Sequence, residues 1–245
     1  MYGRDRQSGL SGVIAGVAVK EQDGGITLCE ELMLLSLDDA TGVAKERQKT
    51  EHAIAGAVLV ELALAGRVEI IGEKAPKVFV RGRSPMGIPV LDAALAEITA
   101  RVRPRKAQEW VSHLSKDAAV ATRQSLLDRG LVREERKKVL GLFPVERFPE
   151  ADGSVEVEMR ARLTRVVLEG AEPDARTAAL AVLVQGAGLH KIAFPGADAT
   201  VLKAADARMR EIAEARWAQE AVRKALTGAQ AALTAAAVAA VTASG

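Results

Sequence analysis

Three histidines, one cysteine and a carboxylate set in an apolar run are the residues of this 245-residue chain whose types could do chemistry. Their spacing argues against it. His52, His113 and His190 are scattered, and none forms an HExxH motif or a pair at ligand spacing. No metal site is expected, and each histidine reads as a surface or capping residue. There is no Walker loop and no GxSxG, and Gly186-Ala187-Gly188 lacks the third glycine of a dinucleotide loop, so it reads as a helix end. Cys29 lies in an apolar helical pattern and reads as a small core residue; as the one cysteine it excludes an internal disulfide. The adjacent carboxylates Glu30-Glu31 and Asp38-Asp39 diverge if helical, which suits paired acid and base work poorly. Glu61 is the lone charge between Ala53 and Ala65, and a buried charge must be paired, so it is expected to bond a backbone group or a basic side chain. No active site emerges, and neither an enzyme nor a cofactor is expected.

Binding chemistry is better represented. In Arg133 to Phe148, REERKKVLGLFPVERF, the basic residues Arg136, Lys137 and Lys138 run into Val139, Leu140, Leu142 and Phe143 around Gly141, and Arg147 returns on the far side. As a hairpin this segment has an apolar tip and a basic stem, the arrangement by which a peripheral protein engages an anionic membrane; each basic residue near an acidic leaflet contributes about 1 kcal/mol. The alternative is an ordinary hairpin with Leu140 and Phe143 in the core. Arg101, Arg103, Arg105 and Lys106 form another basic cluster, at a helix end.

The elements that must position these residues are mostly helical. A composition with 49% hydrophobic and only 3% aromatic residues favours close helix packing over a β-sandwich. Thr50 to Ile71 is central: Ala53 to Ala65 is apolar on nearly every face, which marks a buried helix. Its length of roughly 20 Å is too short to span a bilayer. Gly66 ends it and a strand, Val68 to Ile71, follows, with Val78 to Val80 as its hairpin partner. Thr27 and Glu30 form a capping box for a helix over Leu28 to Leu37. Further helices are expected over Val90 to Val102, Ala107 to Leu114, Ala118 to Arg129, Val155 to Leu168, Ala175 to Gln185, Val201 to Leu226 and Ala229 to Ala243. Residues 1–25 read as a flexible arm, or as a strand or oligomerisation tail that would join copies of the chain, followed by one domain over 26–245. No cleavage site follows the broken apolar run Leu10 to Val19, so a cytoplasmic protein fits best. With 34 basic and 32 acidic residues the net charge of +2 gives no global field for nucleic acid. A helix followed by a basic hairpin also describes a winged helix, but Ala118 to Gly130 carries only Arg123 and Arg129 against Asp128, so nucleic acid is disfavoured.

Residues Ile26 to Asp39, ITLCEELMLLSLDD, followed by Gly42 and by Gly56 to Val68, GAVLVELALAGRV, resemble the opening signature of the Golgi phosphoprotein 3 (GPP34) family. The Leu91-Asp92 helix, the Trp110 helix, Leu126 to Val132 and the Leu140 to Phe143 hairpin extend the resemblance to about Val241. The Ala- and Arg-rich usage would suit an actinobacterial member. The resemblance implies a single, mostly α domain: a helical bundle with buried central helices, amphipathic helices around them and short β-hairpins. It also implies a non-enzymatic peripheral membrane protein that binds phosphatidylinositol 4-phosphate, inserts a hydrophobic hairpin and bridges to a protein partner.

Carried over position by position, the family's lipid pocket is only partly matched. The family's Trp falls at Glu46, beside Arg47, its first Arg at Ala55, and its second pair at Lys116 and Ala119. Arg123, seven residues after Lys116, lies on the same helical face and could compensate. The expectation is a cytoplasmic, peripherally membrane-associated protein that meets acidic lipid head groups through Lys116, Arg123 and Arg47. Its wedge is Val139, Leu140, Leu142 and Phe143, flanked by Arg136, Lys137, Lys138 and Arg147. The alternatives are a protein-interaction adaptor without lipid binding and, third, a winged-helix-like DNA binder.

Overall fold

Thr27 opens the first helix, α1 (Leu28–Ser36), through a reciprocal cap: the Glu30 amide donates to Thr27 Oγ1 at 3.1 Å and the Thr27 amide donates to Glu30 Oε2 at 2.8 Å. The computed structural model describes residues 25–38, 44–72, 75–139, 143–149, 151, 153–214 and 226–236, with backbone alone at 136–139 and 143–147. The expected arm over residues 1–24 lies outside them.

Every residue of α1 is buried, charged ones included. It packs on α2 (Arg47–Leu64), whose residues Ala53 to Leu62 are all buried, as the absence of a polar face requires. Gly66, at φ 66°, reverses the chain into β1 (Val68–Ile71), which pairs antiparallel with β2 (Lys77–Val80) in the register Val68↔Val80 to Ile71↔Lys77. After α3 (Pro89–Thr99) comes α4 (Ala107–Asp128), tied to β2 by the Ala107 amide on Pro76 O at 2.7 Å and the Val78 amide on Arg105 O at 3.0 Å.

α4 corrects one expectation. The two helices read over Ala107 to Leu114 and Ala118 to Arg129 are a single 22-residue helix. Ser115, Lys116 and Asp117 do not break it, because Leu114, Ala118 and Ala119 keep the apolar spacing running and the Ser115 hydroxyl donates to Ser112 O within the helix.

β3 (Glu135–Val139) and β4 (Phe143–Arg147) form the second hairpin. α5 (Ser154–Leu163) then continues as a π-helical turn, Thr164–Leu168, where a plain helix was expected over Val155 to Leu168. The widened turn ends with the Glu169 amide on Thr164 O. α6 (Ala175–Gly186) is capped by Asp174, which accepts from the Thr177 amide at 2.8 Å, and is buried from Thr177 to Val184. Short α7 (His190–Ala193) leads to α8 (Ala199–Glu214), the described part of the helix expected over Val201 to Leu226; residues 215–225 lie outside. The last helix among the described residues, α9 (226–236), covers α2 and α6. It comes in close because Gly56 and Gly186 present no Cβ to Leu233: at either position one would lie 3.1 Å from that side chain. The described residues form a mostly α fold with two buried central helices, α2 and α6, and two β-hairpins.

Candidate membrane-facing site and the buried carboxylates

The β3–β4 hairpin leaves α4 through Gly130, at φ 68°. Its base is held by the Arg133 amide on Pro149 O at 3.0 Å and the Ala151 amide on Leu131 O at 2.9 Å. The register Glu135↔Arg147, Arg136↔Glu146, Lys137↔Val145, Lys138↔Pro144 and Val139↔Phe143 sets charged residues across from one another near the base. It closes on an apolar pair at the tip. Leu140 and Leu142 lie outside the described residues, as do the side chains of Val139, Phe143, Arg136, Lys137, Lys138 and Arg147. Among the described residues, β3 and β4 pair with no third strand.

Arg123 is drawn to this hairpin: its guanidinium stacks over the Phe148 ring at 5.0 Å, a cation–π contact that ties α4 to the end of β4. Lys116 is exposed two turns earlier on the same face of α4. Arg47 is elsewhere, in the first turn of α2, where Nε donates to Glu51 Oε1 at 2.8 Å. At the other three positions carried over from the family pocket, Glu46 is acidic and exposed, and Ala55 and Ala119 are neutral and buried.

Three carboxylates sit at the N-terminal end of α1, and each is bound in a different direction. Glu30 accepts from Ser125 Oγ at 2.8 Å and from Arg129 Nη1 at 2.7 Å, which clamps α1 to α4. Glu31 pairs with Arg162 and, at 3.3 Å, with Arg176, so α1 is joined to α5 and α6. As the sequence implied, Glu30 and Glu31 diverge. Glu61 comes from α2 to the same end, accepting from the Leu28 amide at 3.0 Å and from Cys29 Sγ at 3.5 Å. It is bonded to backbone, as expected. Burial outweighs the Leu28 bond and the nearby Arg176 charge, and pushes its pKa up to about 7.

None of this makes a catalytic pair. Cys29 is fully buried, and burial together with the Glu61 charge pushes its thiol well above the ordinary range, so no thiolate is available. The capping box was legible beforehand; the arginine partners were not, since they lie 99 to 145 residues away in sequence. Among the histidines, Nε2 of His113 meets Glu97 Oε2 at 2.7 Å, Nε2 of His190 meets Asp206 Oδ1 at 2.8 Å, and burial lowers the pKa of His52. The described residues hold no cluster of His, Cys, Asp and Glu arranged for a metal ion. No described helix is long and apolar enough to cross a membrane.

Comparison with known proteins gives the constellation a setting. The chain is 26% identical over 165 residues to vacuolar protein sorting-associated protein 74 of Eremothecium gossypii, covering 58% of this chain and 49% of that protein. It is 24% identical over 176 residues to the protein of the same name from Schizosaccharomyces pombe, covering 61% and 50%. The chain thus spans about half the length of the curated relatives it matches. The family model described as Golgi phosphoprotein 3 (GPP34) matches residues 28–229, from the first residue of α1 into α9, and so takes in the buried carboxylates and the β3–β4 hairpin alike. The chain belongs to the Golgi phosphoprotein 3 (GPP34) family.

Proposed function

We propose that this protein is a non-enzymatic peripheral membrane protein that docks on acidic lipid through the β3–β4 hairpin. The observation that carries the reading is the hairpin's register, which ends on the apolar pair Val139↔Phe143 and sets Lys138, Lys137, Arg136 and Arg147 at successive positions from just behind that pair to the base. Val139, Leu140, Leu142 and Phe143 enter the interfacial layer. Arg136, Lys137, Lys138 and Arg147 meet acidic head groups, with Lys116 and Arg123 behind them on α4 and Arg47 as a further cation on α2. Thirteen residues, 135–147, carry four basic and two acidic side chains, a net +2 that equals the net charge of the whole 245-residue chain and is concentrated in this one segment.

Selectivity for phosphatidylinositol 4-phosphate is weak in this reading. A phosphate monoester prefers several converging donors, and Ala55 and Ala119 stand where the family places two of them. A role linking membrane to protein cargo is supported by the sorting function named in the relatives. DNA binding is disfavoured by the engagement of the basic residues at this end of α4: Arg123 lies on Phe148, and Arg129, the residue that caps the helix, is held by Glu30.

The test is the full chain with Leu140→Asp and Phe143→Asp, sedimented with phosphatidylglycerol vesicles. Binding should fall at least tenfold with the far-ultraviolet circular dichroism unchanged; undiminished binding would count against the hairpin.

A further inference from the structure

On another part of the surface, a cleft of about 860 Å³ opens between the start of α2 and the α7–α8 corner. That volume lies in the range of small-molecule sites. Lysines from three places line it: Lys45 and Lys49 at the start of α2, Lys191 on α7 and Lys203 on α8. The acidic residues of the cleft are already occupied. Glu46 pairs with Lys49 at 3.0 Å, and Asp206 is bound by His190 at 2.8 Å, by Gln185 at 3.0 Å and by Arg210 at 2.5 Å. Burial raises the Asp206 pKa, but these hydrogen bonds and the Arg210 charge outweigh it and hold the carboxyl below its ordinary value. Lys45 has Asp38 at 2.9 Å, whereas Lys191 and Lys203 are exposed with no acidic partner among the described residues.

We propose that this cleft binds a phosphate monoester, with Lys191 and Lys203 as its principal cations and Lys45 and Lys49 closing the opposite side. A carboxylate ligand carries one charge; a phosphate monoester carries nearly two at neutral pH, with three acceptor oxygens that several flexible ammonium groups can share. Buried Leu189 and Ile192 form apolar wall beside the cations, which suits an organic group attached to the phosphate. The first turn of α2, whose N-cap Glu46 makes no side-chain capping bond, borders the same space, and the helix dipole there is of favourable polarity for an anion. The site is separate from the hairpin and does not depend on it.

Titration calorimetry of the full chain with glycerol 3-phosphate tests a soluble source. Flotation with phosphatidic acid vesicles, against phosphatidylglycerol vesicles of equal charge, tests a lipid head group. In at least one arm Lys191→Glu with Lys203→Glu should weaken binding at least tenfold, while Lys191→Arg with Lys203→Arg retains it. The pair Lys191→Gln and Lys203→Gln gives the same reading, at smaller size, if charge reversal harms folding as judged by circular dichroism. Leu140→Asp with Phe143→Asp should leave glycerol 3-phosphate binding unchanged, so loss of the hairpin function is distinguishable from loss of this site. Equal binding by wild type and the charge-reversed pair in both arms, or binding in neither, would overturn the proposal.

Discussion

Glu61 titrates far from where an exposed glutamate does, and the direction of that shift has a consequence for stability. Its folded pKa of about 7 exceeds the ordinary 4.5, so below pH 4.5 the group is protonated whether the chain is folded or not. Between 4.5 and 7 only the unfolded chain releases the proton, and stability falls as pH rises; above 7 the cost levels off, at most about 3 kcal/mol. Glu61→Gln keeps an acceptor for the Leu28 amide and removes the titration. Its unfolding free energy should match wild type near pH 4.5 and exceed it at pH 8 by up to about 3 kcal/mol. Equal differences at the two pH values, read by urea denaturation, would contradict the assignment. The sequence marked Glu61 as a paired buried charge because it interrupts an apolar run. It could not name Leu28 as the partner, 33 residues away. Lys191 and Lys203 carry no mark in the sequence for a related reason: each is a single lysine on a polar surface, and only the α7–α8 corner brings them to one cleft.

At the scale of elements, the acidic end of α1 organises the bundle. Arg129 joins α4 to Glu30, and removing it leaves a carboxylate with 2% exposure without its cation. Arg129→Met should therefore destabilise the fold by about 2 to 3 kcal/mol, a penalty reduced from the fully buried case because Arg129 is itself partly solvated. A change below about 0.5 kcal/mol would place Arg129 among ordinary surface pairs. The other tight joint is α9 on β1, where a Cβ at Gly228 would lie 2.4 Å from Ile70 Cγ2. Gly228→Ala should cost about 1 to 3 kcal/mol by overpacking. Combined with Ile70→Ala, it should cost less than the two single changes together; strict additivity would mean that the two residues do not meet. Helices were legible here from apolar spacing and caps, including α1 from its capping box and α2 from its lack of a polar face. The continuity of α4 was obscured by the run Ser115-Lys116-Asp117, which looks like a break yet fits on a helix surface. The π-helical turn was not legible: three of its five residues, Thr164, Val166 and Val167, are β-branched, which lowers helix propensity but does not specify a widened turn.

For the whole molecule, family membership explains why one pattern carries both fold and site. The buried Glu-Glu and Glu61 positions hold α1 against α2, α4, α5 and α6, and α4 in turn carries Gly130 and the base of the hairpin. Under the proposed function the binding is reversible and takes place at a charged interface: electrostatic attraction brings the protein in and insertion of apolar residues slows its departure. Such binding is weakened by salt, because exposed charges are screened over about 10 Å at 0.1 M. The most direct measurement is sedimentation of the wild-type full chain with neutral vesicles, with phosphatidylglycerol vesicles and with charge-matched vesicles containing phosphatidylinositol 4-phosphate, each at two salt concentrations. Binding to both acidic compositions but not the neutral one, several-fold weaker at the higher salt, is the expected result. Failure to bind any of the three, or equal binding to neutral and acidic vesicles, would contradict it.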